Sequence, residues 1–91
     1  MLNTRESLIN MNAVQYLENQ LTEQDRLELS FGAVTPRLFD KVFHGVVELI
    51  EICVMMKIFP KEDLKNMTAI AHEVSETYCG QLLNNVLNIK N

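Results

Sequence analysis

The chain contains few of the residues that make turns, with three Gly and two Pro among its 91 residues, and it has no Trp. An all-β or loop-rich protein of this length needs many turns, so this scarcity argues against both classes. There is no low-complexity run, and a composition of 47% hydrophobic and 22% charged residues argues against intrinsic disorder. A chain this short builds only a thin core. The sequence therefore predicts a single helical domain over residues 1–91.

Positive charge is also scarce, since eight Lys and Arg face twelve Asp and Glu for a net charge of −4. Without a basic stripe, general binding to nucleic acid or to an anionic membrane surface is disfavoured. The N-terminal residues lack the apolar stretch of a signal peptide, and no apolar run is long enough to span a bilayer. Cys53 and Cys79 lie within predicted helices and form no disulfide framework, which favours free thiols in a reducing compartment. We expect a small acidic cytoplasmic protein.

Apolar residues recur at helical spacing along most of the chain. Thr22 predicts a helix N-cap, Gly32 predicts a left-handed residue after a helix, and Thr35-Pro36 predicts the start of the longest helix. The apolar stripe changes direction at Gly80, which predicts a break or kink there. The predicted helices are A, ending near residue 21, B over 23–31, C over 36–56, D from residue 60, and E over 81–88. The predicted fold class is all-α, a small four- to five-helix bundle with helix C as its long central hydrophobic helix, and the order of residues 1–9 is left open.

Helix C contains the most unusual part of the sequence. Eleven of the fourteen residues at positions 46–59 are apolar. The first part of the helix has a polar strip that extends through Glu48 to Glu51, and after Glu51 apolar residues replace it on that face. We predict that the residues of this apolar end form a partner-binding surface: Ile52, Met55, Ile58 and Phe59.

Such a surface on so small a chain favours a protein-binding module, namely a regulator, adaptor or chaperone that acts by docking. A symmetric homodimer is the simplest way to cover the surface. A partner helix laid into the same groove is a second way. In a third arrangement, helix A or helix E of the same chain covers that end of helix C, and the protein is a monomer. Among the methionines, Met55 and Met56 are assigned most readily to a contact surface.

An alternative function is DNA recognition by a helix-turn-helix formed by residues 27–43. This segment predicts a short helix, a turn that contains Gly32 and a second helix that begins near Arg37, which matches the outline of the motif. Arg37 and Lys41 are the residues then expected to bind DNA. The length of the second helix, the carboxylates on its exposed face and the acidic segment before it argue against this function.

No pattern in the sequence predicts catalysis, a cofactor or a small-molecule substrate. The chain has no glycine-rich phosphate loop and no nucleophile elbow. His72, Glu76 and Cys79 share one face of helix D, but a structural zinc site requires a fourth ligand and tighter spacing. We therefore predict a non-enzymatic protein without a metal site.

Overall fold

A computed structural model describes residues 4–10 and 13–89 of the chain. Within these residues the chain forms five α-helices and one short 3-10 helix, and it forms no strand. The α-helices are α1 (Thr4–Asn10), α2 (Ala13–Asn19), α3 (Glu23–Ser30), α4 (Pro36–Met55) and α5 (Met67–Ile89), and the 3-10 helix (Lys61–Leu64) lies between α4 and α5. The predicted all-α fold of four to five helices is confirmed.

Helices α1 and α2 lie within the span where the sequence predicts helix A, and residues 11–12 between them lie outside the described residues. Residues 4–9, part of the segment whose order the sequence leaves open, belong to α1, whereas residues 1–3 lie outside the described residues. Three side-chain contacts hold α1 to the second half of the chain. These are a hydrogen bond from Tyr78 Oη to the Leu8 carbonyl oxygen, an ion pair between Arg5 and Glu73, and a hydrogen bond from Thr4 to Asp63.

The N-terminal ends of α3 and α4 form at the residues that the sequence predicts. The hydroxyl of Thr22 accepts a hydrogen bond from the Asp25 amide at 3.1 Å, and the Asp25 carboxylate accepts one from the Thr22 amide at 2.9 Å. This reciprocal pair is a capping box, which satisfies two backbone donors that a helix leaves unpaired. At α4, the Thr35 hydroxyl accepts from the Leu38 amide at 3.2 Å, and Pro36 occupies the first turn. Local hydrogen bonding therefore fixes both helix starts.

The C-terminal ends of α3 and α4 are each followed by a left-handed residue. Gly32 follows α3 with φ of 81°, as predicted. Lys57 follows α4 with φ of 61°, although a side chain in this conformation is unfavourable. The amide of Lys57 donates to the Val54 carbonyl at 3.0 Å, and that of Ile58 donates to the Cys53 carbonyl at 2.8 Å. These two bonds are the Schellman pattern, so α4 ends at Met55 and the chain turns away from its axis.

The core is organised around α5 more than around α4. At 23 residues α5 is longer than α4, which has 20, and α5 packs against all four other α-helices and the 3-10 helix. The sequence is therefore right that α4 is long and apolar, but the central helix of the bundle is α5. The buried side chains of α4 are Leu38, Val42, Val46, Ile50 and Cys53, and those of α5 are Ile70, Ala71, Val74, Ser75, Tyr78, Cys79, Leu82 and Val86.

Helix α5 runs without interruption through Gly80, so the predicted break is wrong. The prediction did not count Ser75 or Cys79, and the stripe of the apolar residues that it counted changes direction at Gly80. These two small residues also belong to the buried face. With these included, the face winds gradually round the helix, because each step of four residues advances it by about 40°. Gly80 lies on the exposed side, where a Cβ atom would meet nothing within 4 Å.

Candidate contact surface at the end of α4

The residues predicted to bind a partner lie on the last turn of α4 and in the loop that follows. Ile52 and Met55 on α4 are 49% and 81% exposed, and Ile58 in the loop is 57% exposed. Met56, the C-cap residue, is 65% exposed. Three of the four predicted residues therefore reach the surface, and Met56 joins them. We call Ile52, Met55, Met56 and Ile58 the apolar patch.

Phe59, the fourth predicted residue, does not belong to the apolar patch because its side chain is 6% exposed and joins the core. The sequence places the Phe59 ring on the outer face only if the helix continues beyond residue 56, its predicted end. The helix instead ends at Met55, and the turn at Lys57 directs the Phe59 amide back to the Cys53 carbonyl at 3.2 Å. Phe59 thus anchors the loop and offers almost no surface to a partner.

An open groove of about 700 Å³ lies beside the apolar patch. It is lined by Val54, Met55, Lys57, Ile58, Phe59, Pro60, Lys61 and Leu64, so it runs between the end of α4 and the 3-10 helix. Lys57, Lys61 and Leu64 were not predicted as part of the surface. A signal for Lys57 was present, because a lysine just after an apolar helix is typical of a helix C-terminus, where cations complement the dipole.

The charged residues of α4 just before the apolar patch differ in sign from those that line the groove after it. Glu48 and Glu51 are exposed on α4 before the patch, and both charged residues of the groove lining, Lys57 and Lys61, come after it. None of these four side chains has an ion-pair partner within residues 4–10 and 13–89. No ion pair within the described chain therefore competes with contacts that these four side chains could make to another molecule.

The patch is not covered by other parts of the chain that the structure describes. With α1 and α5 in place, its four side chains are still between 49% and 81% exposed. The contacts of α1 described above are instead with α5 and with Asp63 of the 3-10 helix. Within the described residues, the arrangement in which helix A or the end of the chain covers the apolar end of α4 is therefore not observed.

The opposite end of α4 has an internal ion-pair cluster. The carboxylate of Asp25 is fully buried, and it accepts hydrogen bonds from Arg37 Nη2 and from Lys41 Nζ, both at 2.7 Å. Arg37 also pairs with Glu28 at 2.6 Å. Burial alone would raise the pKa of Asp25, but the hydrogen bonds from Lys41, the Thr22 amide and Arg37 outweigh it. The pKa of Asp25 therefore lies well below its ordinary value.

This cluster bears directly on the DNA-binding hypothesis. The α3–turn–α4 segment has the predicted helix boundaries, but Arg37 and Lys41 are the two cations that this hypothesis assigns to DNA. Both are paired with carboxylates of α3 in the same chain. Their positive charge is largely neutralised, which weakens the case for phosphate contacts. DNA recognition by residues 27–43 stays a prediction.

The histidines and cysteines of the described residues form no metal-binding group. His72 and Glu76 are close, with Nδ1 and Oε1 3.6 Å apart, but no third ligand joins them, and no group of three His, Cys, Asp or Glu side chains in the described residues is placed to bind an ion. Burial raises the pKa of the Cys79 thiol to about 11 and also raises that of Cys53. Both thiols are free and buried, so neither is an activated nucleophile at neutral pH.

No helix of the described residues has the length and hydropathy needed to cross a membrane. Comparison with protein families, with characterised proteins and with solved structures finds no match to this chain. The functional conclusion therefore depends on the chain's own geometry.

Proposed function

We propose that this protein is a small non-enzymatic protein-binding module that pairs with a second copy of itself through the apolar patch. The observation that carries this proposal is the joint exposure of Ile52, Met55, Met56 and Ile58 at the end of α4, where apolar residues replace the polar side chains of the exposed face. Large apolar side chains that lie together in water favour association, because burial removes their surface from water.

Methionine is well suited to this role. Met55 and Met56 are the most exposed members of the patch, and a methionine side chain has flexible bonds and a polarisable sulfur. Such side chains adapt to the shape of an opposing surface. The groove beside the patch gives protruding side chains of a second copy a place to insert. In a dimer with a two-fold axis each copy contributes the same patch to the interface, so no second kind of partner is needed.

The surrounding features support a regulator, adaptor or chaperone that acts by docking in the cytoplasm. The two thiols are buried and unpaired, which agrees with a reducing compartment. The net charge of −4 agrees with a module whose ligands are proteins rather than nucleic acids or anionic lipids.

The proposal is tested by sedimentation of the wild-type protein and of Met55→Glu over a range of micromolar concentrations. The wild type should sediment as a dimer. Met55→Glu should be a monomer with unchanged helicity by circular dichroism, because the side chain is 81% exposed and its replacement leaves the core intact.

Phe31→Glu is the matched control. Phe31 is 77% exposed and follows α3, so it lies near the opposite end of α4 from the patch, and its replacement should leave the dimer intact. A wild-type protein that is monomeric at high micromolar concentration would contradict the homodimer. Capture of a different protein by that monomer, lost in Met55→Glu, would assign the patch to a heterologous partner instead.

A further inference from the structure

The charges that border the apolar patch follow a fixed order along the chain. Two acidic residues, Glu48 and Glu51, come first, the patch follows, and the cations Lys57 and Lys61 lie in the turn and the groove beyond it. Glu48, Glu51, Ile52 and Met55 lie within about 100° of one another round α4, so the acids and the patch share one face of the helix. Glu62 and Asp63 follow Lys61 in the 3-10 helix but do not line the groove, and Asp63 accepts a hydrogen bond from Thr4 of α1. The surface formed by α4, the patch and the groove lining is therefore negative at one end, apolar in the middle and positive at the other end.

We propose that two copies of the chain pair in an antiparallel manner across this surface, with the acidic end of each on the basic end of the other. This inference rests on the proposed homodimer and adds its orientation and the residues that determine it. A two-fold axis through the apolar patch makes the two contacts identical, because a residue on one side of the axis in one copy meets one from the other side in its partner. Glu48 and Glu51 lie on α4 before the patch, and Lys57 and Lys61 line the groove on its other side.

The area of the patch explains why the charges matter. Its exposed side chains supply on the order of 400–600 Å² of apolar surface. A stable interface buries about 800 Å² on each partner, so residues outside the patch must contribute the remainder. Ile52, Met55, Met56 and Ile58 then form the apolar centre, and the charged residues form a polar rim of the kind that determines orientation and specificity.

The same charge order disfavours the other occupants. A parallel pairing of two copies places glutamates on glutamates and lysines on lysines, which costs free energy at both ends. A partner of uniform charge gains at one end of the surface and is repelled at the other. A second copy in antiparallel orientation is complementary at both ends, and none of the four charged side chains has an ion-pair partner within the described chain to compete with it.

Two charge variants test this orientation. The first combines Glu48→Lys with Glu51→Lys, which makes the whole surface basic, and the second combines Lys57→Glu with Lys61→Glu, which makes it acidic. Each variant alone should dimerise with a dissociation constant at least tenfold above that of the wild type, because every repulsive contact occurs twice in a two-fold dimer. An equimolar mixture should form a heterodimer of about wild-type affinity, since all four contacts are then between opposite charges.

Two further proteins complete the experiment. A chain that contains all four substitutions reverses the charge order and should regain the homodimer. Glu76→Lys, which changes an exposed residue of α5, is the control and should dimerise like the wild type. Circular dichroism and thermal unfolding of each variant verify that the fold is retained.

The outcomes separate the two proposals. If the wild type is a dimer and the basic and acidic variants dimerise equally well, or if their mixture gains no affinity, the antiparallel orientation is wrong while the homodimer stands. If the wild type is a monomer at high micromolar concentration, the homodimer itself is wrong, and the orientation is overturned with it.

Discussion

The two ends of α4 differ in whether the chain itself supplies partners for their side chains. At the N-terminal end, Arg37 and Lys41 find their counter-charges in Asp25 and Glu28 of α3. At the C-terminal end the four charged residues around the apolar patch have no ion-pair partner among the described residues, and the large apolar side chains between them are exposed.

This difference shows where the chain completes its own interactions and where it does not. A buried carboxylate requires nearby donors, so Asp25 of α3 depends on Arg37 and Lys41, and this requirement ties α3 to the N-terminal end of α4. Nothing in the described chain plays that role at the other end. The first end should therefore govern stability, and the second should govern association.

The largest expected effect comes from breaking the internal cluster. Asp25→Ala removes the acceptor of two ion pairs and half of a capping box, and it should lower the free energy of unfolding by about 2–4 kcal/mol. Urea denaturation followed by circular dichroism measures this loss. Glu51→Ala, the matched change at the other end of α4, should leave monomer stability nearly unchanged, because the Glu51 side chain is exposed and has no ion-pair partner among the residues that the structure describes. Similar losses for both variants would contradict the division between the two ends.

The same cluster predicts a pH dependence. Because the pKa of Asp25 is lowered in the folded state, its contribution to stability is complete above the ordinary aspartate pKa of about 3.9 and is lost as the pH falls through the lower folded value. The difference in unfolding free energy between the wild type and Asp25→Ala should therefore narrow on acidification below about pH 4. Urea titrations of both proteins at several pH values measure this difference, and a constant gap would contradict the assignment.

The smallest expected effects concern Gly32 and Lys57, the left-handed residues that follow α3 and α4. Lys57→Gly should raise the free energy of unfolding by up to about 1 kcal/mol, because glycine adopts the left-handed conformation without the cost imposed by a Cβ atom. Gly32→Ala should lower it by a similar amount for the converse reason. Thermal unfolding of the two variants at one protein concentration compares them. A loss of stability in Lys57→Gly would show that the interactions of the lysine side chain stabilise the fold by more than its left-handed backbone destabilises it.

The sequence predicts helix ends well in this chain because their signals are local. Thr22, Thr35-Pro36 and Gly32 each act through hydrogen bonds or dihedral angles within a few residues, and the structure confirms all three. The left-handed Lys57 is the exception. Lysine has no preference for the left-handed conformation, so the sequence does not predict the turn at Lys57 that follows α4.

The features that the sequence misses depend on distant parts of the chain. Asp25 is buried and accepts hydrogen bonds from Arg37 and Lys41, twelve and sixteen residues later, a pairing that no local signal in the sequence indicates. The continuity of α5 through Gly80 agrees with a buried face that includes Ser75 and Cys79, two residues that the predicted apolar stripe omits. For the contact surface, the loss of the polar strip correctly predicts the exposure of Ile52 and Met55. The burial of Phe59 depends on the turn and was not predicted.

The buried thiols give this protein two internal kinetic probes. Cys53 accepts, at its carbonyl, the two amides that hold the turn after α4, whereas Cys79 lies on the buried face of α5. An alkylating reagent reaches either sulfur only when the surrounding structure opens. The labelling rate of Cys53 therefore measures how often the end of α4 frays, and that of Cys79 measures opening of the central helix. If the labelling rate of Cys53 falls as the protein concentration rises, and that of Cys79 does not change, then two molecules associate at the turn after α4.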